Sequence, residues 1–190
     1  MIMAVIRSGN VGVLLVVDVQ VGVLQNAWDA RRIIKNISIA VGKARDLGVP
    51  VIWVQHSSEE LESDSPEWQL VPELSPAEGD IHIHKQFESS FEQTSLEEVL
   101  MGLGATNIVL AGASTNWCIR ATAYAALERG YDFTLIKDGH TTESIELENG
   151  LTIDAESIVQ DLNIVMKWIS YPGRMNRTLS AAQLDFTFQE

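Results

Sequence analysis

The sequence predicts an α/β fold, a three-layer α/β/α sandwich around a mostly parallel sheet of about six strands. Short apolar runs, typical of buried strands, alternate along the chain with longer stretches of helical periodicity. The runs at 13–17 and 108–111 are continuously apolar, as strands are when helices cover both faces of a parallel sheet. The chain has 190 residues, 46% of them hydrophobic, and shows no repeat or domain linker. We therefore expect a single domain over residues 1–190.

Six segments have the apolar pattern of strands. They are, in chain order, 12–17, 49–56, 81–85, 107–112, 132–137 and, in the tail, 178–186. In 81–85 two isoleucines alternate with two histidines, which is the period of a half-buried strand. The segment 57–79 is rich in Ser, Glu and Pro and lacks periodicity, so it predicts a long loop of the kind that usually has a function.

Helices are predicted between the strands from periodicity and from end signals. Their expected spans are 29–48, 95–103, 118–130 and 154–168. Ser95 with Glu98 forms a candidate capping box, Asp154 is a candidate N-cap, and Gly48 and Gly130 are natural helix stops. The expected buried faces are Ile33, Ile37, Val41, Ala44 and Leu47 in the first helix, and Ile158, Leu162, Val165 and Ile169 in the last.

Three reactive residues follow three of the predicted strands. Asp18 and Lys85 end their strands, and Cys118, the one cysteine in the chain, lies where a strand leads into a helix. The carboxyl ends of parallel strands meet at one edge of a sheet, so we expect the three side chains to converge. A helix N-terminus and an ammonium both favour the thiolate, and a carboxylate can take up and return its proton. The alternatives are a buried structural cysteine, a turn-forming aspartate and a solvated lysine.

Several short segments around these residues occur in a characteristic order. They are Val16-Val-Asp18-Val-Gln20, Lys85-Gln-Phe87-Glu-Ser-Ser-Phe91, Gly112-Ala-Ser-Thr115-Asn-Trp-Cys118, Gly130-Tyr131 and Lys137-Asp138. Through them the chain resembles the isochorismatase-like cysteine hydrolases, which include nicotinamidases, N-carbamoylsarcosine amidohydrolase and streptothricin hydrolases. The resemblance extends over roughly residues 11–186.

The resemblance implies a catalytic triad on Asp18, Lys85 and Cys118. Members without the cysteine act on isochorismate, so Cys118 favours hydrolysis of a small amide or related C–N bond, through a thioester, over vinyl-ether cleavage. It also implies an oxyanion hole made by the backbone amides of Ser114 and Cys118, with a cis peptide between Ala113 and Ser114. Two alternatives stay open: a non-catalytic small-molecule-binding protein on the same fold, and a redox-sensing thiol, although the chain has no second, resolving cysteine.

The small-molecule amide substrate is expected to contact side chains that flank these residues. They are Gln20, Leu24, Trp28, Phe87, Phe91 and Trp117. Apolar and aromatic walls are typical of small-molecule pockets, although ordinary core packing explains each residue about equally well. The acidic residues at 59–64 can attract a cationic substrate, but a solvated charge run is the simpler interpretation.

No metal and no other cofactor is expected. Nicotinamidases of the superfamily carry a metal site built on an Asp-x-His pair after the second strand, whereas His56 is followed by Ser-Ser-Glu-Glu without such a pair. His82, His84 and His140 are expected to be core or surface residues. The first strand is not followed by G-x-G-x-x-G, and no P-loop occurs, so a nucleotide cofactor is not predicted.

Charge and composition predict the surroundings of the protein. A formal net charge of −13 disfavours binding to nucleic acid or to anionic membranes. The single cysteine, the short N-terminal apolar segment and the lack of a membrane-length apolar run predict a cytoplasmic protein. A homo-oligomer, a dimer or tetramer, is expected because exposed apolar clusters on loops mark interfaces. The apolar residues concerned are Trp68, Leu70, Val71, Tyr171 and Met175.

Overall fold

A parallel sheet of six strands is the centre of the computed structural model, which describes residues 5–188. The ends of the predicted domain, 1–4 and 189–190, lie outside these residues. The strands are β1 (Gly12–Val17), β2 (Val51–His56), β3 (Ile81–Lys85), β4 (Asn107–Ala113), β5 (Asp132–Thr141), β6 (Ile145–Glu146), β7 (Thr152–Ile153) and β8 (Asn176–Leu179). The sheet order is β3-β2-β1-β4-β5-β8 with every neighbouring pair parallel, while β6 and β7 form a separate antiparallel hairpin. The predicted α/β fold is confirmed.

Helices cover both faces of the sheet. They are α1 (Val21–Leu24), α2 (Ala30–Asp46), α3 (Leu96–Gly102), α4 (Arg120–Glu128) and α5 (Ala155–Trp168), with a single π-helical turn at Thr115–Ile119. In β1, Val13, Leu15 and Val17 pack in the same core as α3, α4 and α5. Leu14 and Val16 of that strand pack in the core that contains α2. This division explains why the strand is apolar throughout, since alternate side chains enter two different cores.

The first and last predicted helices differ from the structure in part of their buried faces. α2 ends at Asp46, so Leu47 lies beyond the helix and is 60% exposed instead of buried. Ala40, which was not among the expected residues, is buried. On α5 the expected Ile158 and Leu162 are buried, together with Ala155, Val159 and Met166. Val165 and Ile169 are only partly buried. The short α1 was not expected, because four residues are too few to show periodicity.

Helix caps and the tail show where local sequence signals succeed or fail. Asp154 accepts a hydrogen bond from the backbone N–H of Ser157, as predicted. Ser95 makes no side-chain cap, so the capping box is wrong; the hydroxyl of Thr94 accepts from the N–H of Leu96 instead. The last strand occupies 176–179 rather than 178–186. The rest of the tail buries apolar side chains without adding to the sheet, namely Ala181, Leu184 and Phe186.

The long loop 57–79 folds back onto its own chain. Trp68 and Val71 are buried, and His84 stacks on the Trp68 ring at a centroid distance of 5.4 Å. The expectation that these loop residues form an exposed interface is therefore wrong; of the apolar residues chosen for that reason, Met175 is the one more than half exposed. Homo-oligomerisation stays a prediction. Within residues 5–188, no helix has both the length and the apolar content needed to cross a membrane.

Gly112 permits a close approach between the backbones of β1 and β4. It pairs with Val17 in the register between β1 and β4, and its φ is +127°. A Cβ atom on this residue would lie 1.9 Å from the carbonyl oxygen of Val17. The ends of β1 and β4 can therefore come together only with glycine here, and those ends carry Asp18 and the turn that contains Cys118.

Replacing Gly112 with alanine is expected to lower the free energy of unfolding by about 2–5 kcal/mol, through the overlap with Val17 and the positive φ. Urea denaturation followed by circular dichroism measures the loss. Gly42 in α2 is the matched control, because a Cβ there meets no atom within 4 Å. Gly42→Ala is expected to raise stability by up to about 1 kcal/mol. Equal midpoints for the two variants would contradict the prediction.

Candidate functional site

Asp18, Lys85 and Cys118 lie together at the carboxyl edge of the sheet. Lys85 Nζ is 2.7 Å from Asp18 Oδ2 and 3.2 Å from Cys118 Sγ. Asp18 follows β1, Lys85 ends β3, and Cys118 belongs to the π-helical turn after β4. The aspartate and lysine are buried and the cysteine is partly buried. The three side chains therefore converge, as predicted from the sequence.

The Lys85 ammonium is surrounded by acceptors. Besides Asp18 and Cys118, it donates to the carbonyl oxygen of Phe87 at 3.1 Å and lies 3.3 Å from His56 Nδ1. Burial alone would lower the pKa of Lys85, but the neighbouring Asp18 and Cys118 raise it above its ordinary value. Burial and the Lys85 charge both lower the pKa of His56. A neutral imidazole and a charged ammonium are therefore the states that fit this contact.

The thiol of Cys118 is held in its protonated form. Burial raises its pKa to about 12, the Asp18 carboxylate raises it too, and Lys85 acts in the opposite direction. Lys85 lowers this pKa, as expected, but burial and the Asp18 carboxylate outweigh it, so the expected resting thiolate is wrong. Burial also raises the pKa of Asp18, despite the ion pair with Lys85. Within the described chain, Asp18 Oδ1 is buried without a hydrogen-bond partner, so an acceptor oxygen is free beside the thiol.

The cysteine turn has an unusual backbone. The Ala113–Ser114 peptide bond is cis, and the N–H groups of Trp117 and Ile119 both donate to the carbonyl oxygen of Ser114 at 3.1 Å. The bond from Ile119 spans five residues, as in a π-helix. This turn places Cys118 one residue before the end of the turn and two residues before α4.

A buried link joins the segment after Lys85 to the helix after Cys118. The hydroxyl of Thr122 in α4 accepts from the N–H of Ser90 at 3.0 Å and donates to the Ser90 hydroxyl at 2.9 Å. Both residues are buried. The lysine segment and the cysteine helix are therefore fixed to each other by a second contact besides that of Lys85 with the thiol.

The residues expected to bind substrate divide into two groups. Gln20 is buried, and its amide is occupied by backbone groups: it accepts from the N–H of His56 and donates to the carbonyl oxygens of His56 and Trp68. Leu24 lies in the core that contains α2, and Phe91 lies in the core that contains α3, α4 and α5. Their placement makes these three residues part of the framework.

The remaining three candidates are more accessible. Trp28 is half-buried, Phe87 is 41% exposed beside Lys85, and Trp117 is 58% exposed beside Cys118. Phe87 and Trp117 therefore present the largest exposed apolar surfaces next to the site among the residues predicted to bind substrate.

A polar groove adjoins Lys85. One cavity of about 290 Å³ is lined by Ser57, Ser63, His84, Lys85, Gln86, Phe87 and Gln93. A second, of about 490 Å³, shares Ser57, Ser63 and Gln86 with the first and adds Ser58, Glu59 and Glu62. The sequence analysis did not select Gln86 and Gln93 as candidate substrate contacts, although Gln86 directly follows Lys85. The residues of the loop could not be placed, because no local pattern indicates where a long loop folds.

The histidines have separate surroundings. His82 and His84 are exposed on β3, His56 contacts Lys85, and His140 is buried between Thr115 and Asn163. Among residues 5–188, no three His, Cys, Asp or Glu side chains are grouped so that they could hold a metal ion.

Comparison with known proteins identifies the family. Residues 12–166 match the profile of the isochorismatase domain. The chain is 30% identical to the streptothricin hydrolase of Streptomyces noursei over 73% of its own length and 58% of that protein. It is also 30% identical to the maleamate amidohydrolase of Pseudomonas putida, over 67% of its length and 60% of that protein. It therefore spans about three-fifths of the length of these curated relatives.

A solved structure agrees with this match. The crystal structure of an isochorismatase from Pseudomonas putida KT2440 is similar to this chain with a TM-score of 0.82 and 26% identity, over 92% of this chain and 90% of that one. Because the domain profile covers most of the sequence and the fold agrees along almost its full length, the chain belongs to the isochorismatase family.

Proposed function

We propose that this protein hydrolyses a small amide or related C–N bond, with Cys118 as the nucleophile. The observation that carries the proposal is the position of the Lys85 ammonium, 2.7 Å from Asp18 and 3.2 Å from the Cys118 sulfur, with the second oxygen of Asp18 left unpartnered. A nucleophile, a proton acceptor and a stabilising positive charge are thus grouped around one point. The hydrolase and the amidohydrolase among the relatives support the same reaction class.

The first step forms the nucleophile and uses it at once. The thiol proton passes to Asp18 as Cys118 Sγ bonds to the substrate carbonyl carbon, whose oxygen takes the electron pair of the C=O bond. Because burial raises the pKa of Asp18, its carboxyl can hold this proton until it is needed. Lys85 stays charged and balances the one negative charge that moves from the carboxylate towards the sulfur.

The second step breaks the C–N bond. The negative oxygen of the tetrahedral intermediate needs fixed N–H donors, and we assign these to the backbone amides of Ser114 and Cys118. When the oxygen reforms the carbonyl, Asp18 gives its proton to the departing amine and a thioester of Cys118 remains. Asp18 then takes a proton from water, the hydroxide attacks the thioester, and the acid product leaves as the thiol regains the proton.

The surroundings of the site favour a small, polar substrate. The groove beside Lys85 is lined mainly by hydroxyl, amide and carboxylate side chains. Phe87 and Trp117 add exposed rings that can cover an apolar part of the substrate. The redox-sensing alternative fits less well, because it needs a thiolate and the pKa of Cys118 is raised to about 12.

Substituting Cys118 is expected to abolish hydrolysis while the fold is kept. Ammonia release from carbamoyl, ureido, pyridine-carboxamide and cyclic-amide compounds identifies a substrate, and Cys118→Ala should then lose more than about 10⁴-fold in rate, since no covalent path remains. Gly42→Ala, on α2 in open space, is the control that should keep full activity. Substantial hydrolysis by the alanine variant would exclude the cysteine mechanism.

Replacing Asp18 with asparagine is expected to separate thiol reactivity from turnover. Without the carboxylate charge, the thiolate is the closest remaining anion for the ammonium, which lies 3.2 Å from the sulfur. Cys118 should then react with iodoacetamide at pH 7 about tenfold faster than in the unchanged protein. Hydrolysis should fall more than about 100-fold, because the proton acceptor is gone.

Lys85→Met is the opposite change and should slow both alkylation and hydrolysis, because the ammonium lowers the pKa of Cys118. Circular dichroism of each variant shows whether it is folded. Identical alkylation rates in the three folded proteins would mean that neither charge controls the thiol.

Hydrolysis is expected to survive exhaustive chelation. The steps above use the side chains of Asp18, Lys85 and Cys118 together with backbone N–H groups and water, and residues 57–64 after the second strand contain no Asp-x-His pair. Activity is measured after dialysis against EDTA and 1,10-phenanthroline, with elemental analysis of the same sample. Activity that disappears with a stoichiometric metal and returns when the metal is added would overturn the metal-free mechanism.

A further inference from the structure

His140 is a buried histidine that takes no part in the chemistry described above. It belongs to the end of β5 and is fully buried. Its Nδ1 lies 2.9 Å from the hydroxyl oxygen of Thr115, and its Nε2 lies 3.1 Å from the side-chain oxygen of Asn163. Thr115 begins the π-helical turn that carries Cys118, and Asn163 belongs to α5. The imidazole therefore connects a strand, a helix and the cysteine turn.

The hydrogen bonds from Thr115 through His140 to Asn163 form a series, and the direction of each one follows from the contact that Asn163 makes at its far end. The Asn163 amide nitrogen donates to the carbonyl oxygen of Lys137 at 2.9 Å, so its oxygen faces His140 as an acceptor. Nε2 of His140 must then carry the proton, and Nδ1 must accept. The hydroxyl of Thr115 consequently donates to Nδ1. One tautomer of the neutral imidazole satisfies every member.

We propose that His140 is a positioning residue for Cys118, which holds Thr115, and with it the cysteine turn, against β5 and α5. The catalytic consequence of this role rests on the proposed function, whereas the placement of the turn does not. Thr115 is fully buried, so its hydroxyl needs a partner inside the protein, and the imidazole is the partner present.

A second contact of the same strand end supports this assignment. The hydroxyl of Thr142, directly after β5, donates to the side-chain oxygen of Asn116 at 2.6 Å. Two successive residues of the turn are therefore tied to the same end of β5. A single π-helical turn has few hydrogen bonds of its own, so outside contacts of this kind decide where it lies.

The charges around His140 favour the neutral ring. Burial lowers the pKa of His140 to about 4, while the hydrogen bond to Asn163 and the charge of Asp138 act in the opposite direction. Asp138 is on the same strand, and the contacts from the π-helical turn and α5 are the uncharged Thr115 and Asn163. The donor from Thr115 therefore keeps its acceptor throughout the neutral pH range.

The experiment compares two substitutions of Thr115. Thr115→Val keeps the shape and removes the donor, and Thr115→Ser keeps the donor. We expect the valine variant to lose at least about tenfold in kcat with little change in KM, and the serine variant to recover most of that loss. The rate of Cys118 alkylation should change at least about fivefold in the valine variant and less than twofold in the serine variant.

Ile37→Val is the control for general loss of stability, since Ile37 is buried in the core on the other face of the sheet. It should leave alkylation and kcat unchanged. If Thr115→Val keeps both the kcat and the alkylation rate of the unchanged protein, the positioning role is wrong. The alkylation arm needs no substrate, so it still decides the matter if no amide proves to be hydrolysed.

A spectroscopic measurement tests the inference even if Thr115→Val does not fold. In protein labelled with ¹⁵N-histidine, His140 should be seen from pH 5 to 8 as the neutral tautomer with the proton on Nε2. His140→Gln assigns the signal by removing it. An imidazolium in this range, or a proton on Nδ1, would overturn the hydrogen-bond chain and the proposal with it.

Discussion

The buried ammonium of Lys85 is the interaction on which the rest of the site depends. Removing such a charge from water costs several kcal/mol, and that cost is offset only when every partner is in place. Its partners come from four parts of the fold, namely Asp18 after β1, His56 at the end of β2, the Phe87 carbonyl after β3 and Cys118 after β4. Displacing the end of β1 or of β3 separates Lys85 from Asp18 and leaves buried charges unpaired, so the stability of the protein and the geometry of the site are coupled.

Two acids beside one cation also explain the protonation state of the site. With Lys85 charged, a single negative charge balances it, and a second anion would be buried without a partner. The carboxylate and the thiol therefore compete, and burial raises the pKa of both. The 2.7 Å contact between Lys85 and Asp18 assigns the balancing negative charge to Asp18 and leaves the proton on the Cys118 thiol. In the proposed reaction, transfer of one proton between them makes the nucleophile without changing the total charge of the buried site, so no additional charge has to be buried in that step.

The sequence predicts the features that follow from short-range patterns and from parallel strands. The convergence of Asp18, Lys85 and Cys118 could be predicted because the carboxyl ends of parallel strands lie at one edge of the sheet. The burial of Gln20 could not be predicted, because its hydrogen-bond partners, His56 and Trp68, are 36 and 48 residues away in the sequence. The position of the last strand and the burial of the loop 57–79 depend on packing that no local period records. The expected thiolate form of Cys118 was wrong because the sequence shows which charges are near the thiol but not how far burial removes it from water.

The cysteine turn is held from two sides by different physical means. On the β1 side, Gly112 brings the backbones of β1 and β4 so close that no side chain fits between them. On the β5 side, His140 supplies directional hydrogen bonds that a close-packed apolar contact cannot provide. Steric contact fixes how near the turn lies to Asp18, and hydrogen bonds fix its rotation. A nucleophile with the proposed role must meet both a base and a carbonyl carbon and therefore needs both, which accounts for a polar, fully buried histidine at the end of β5.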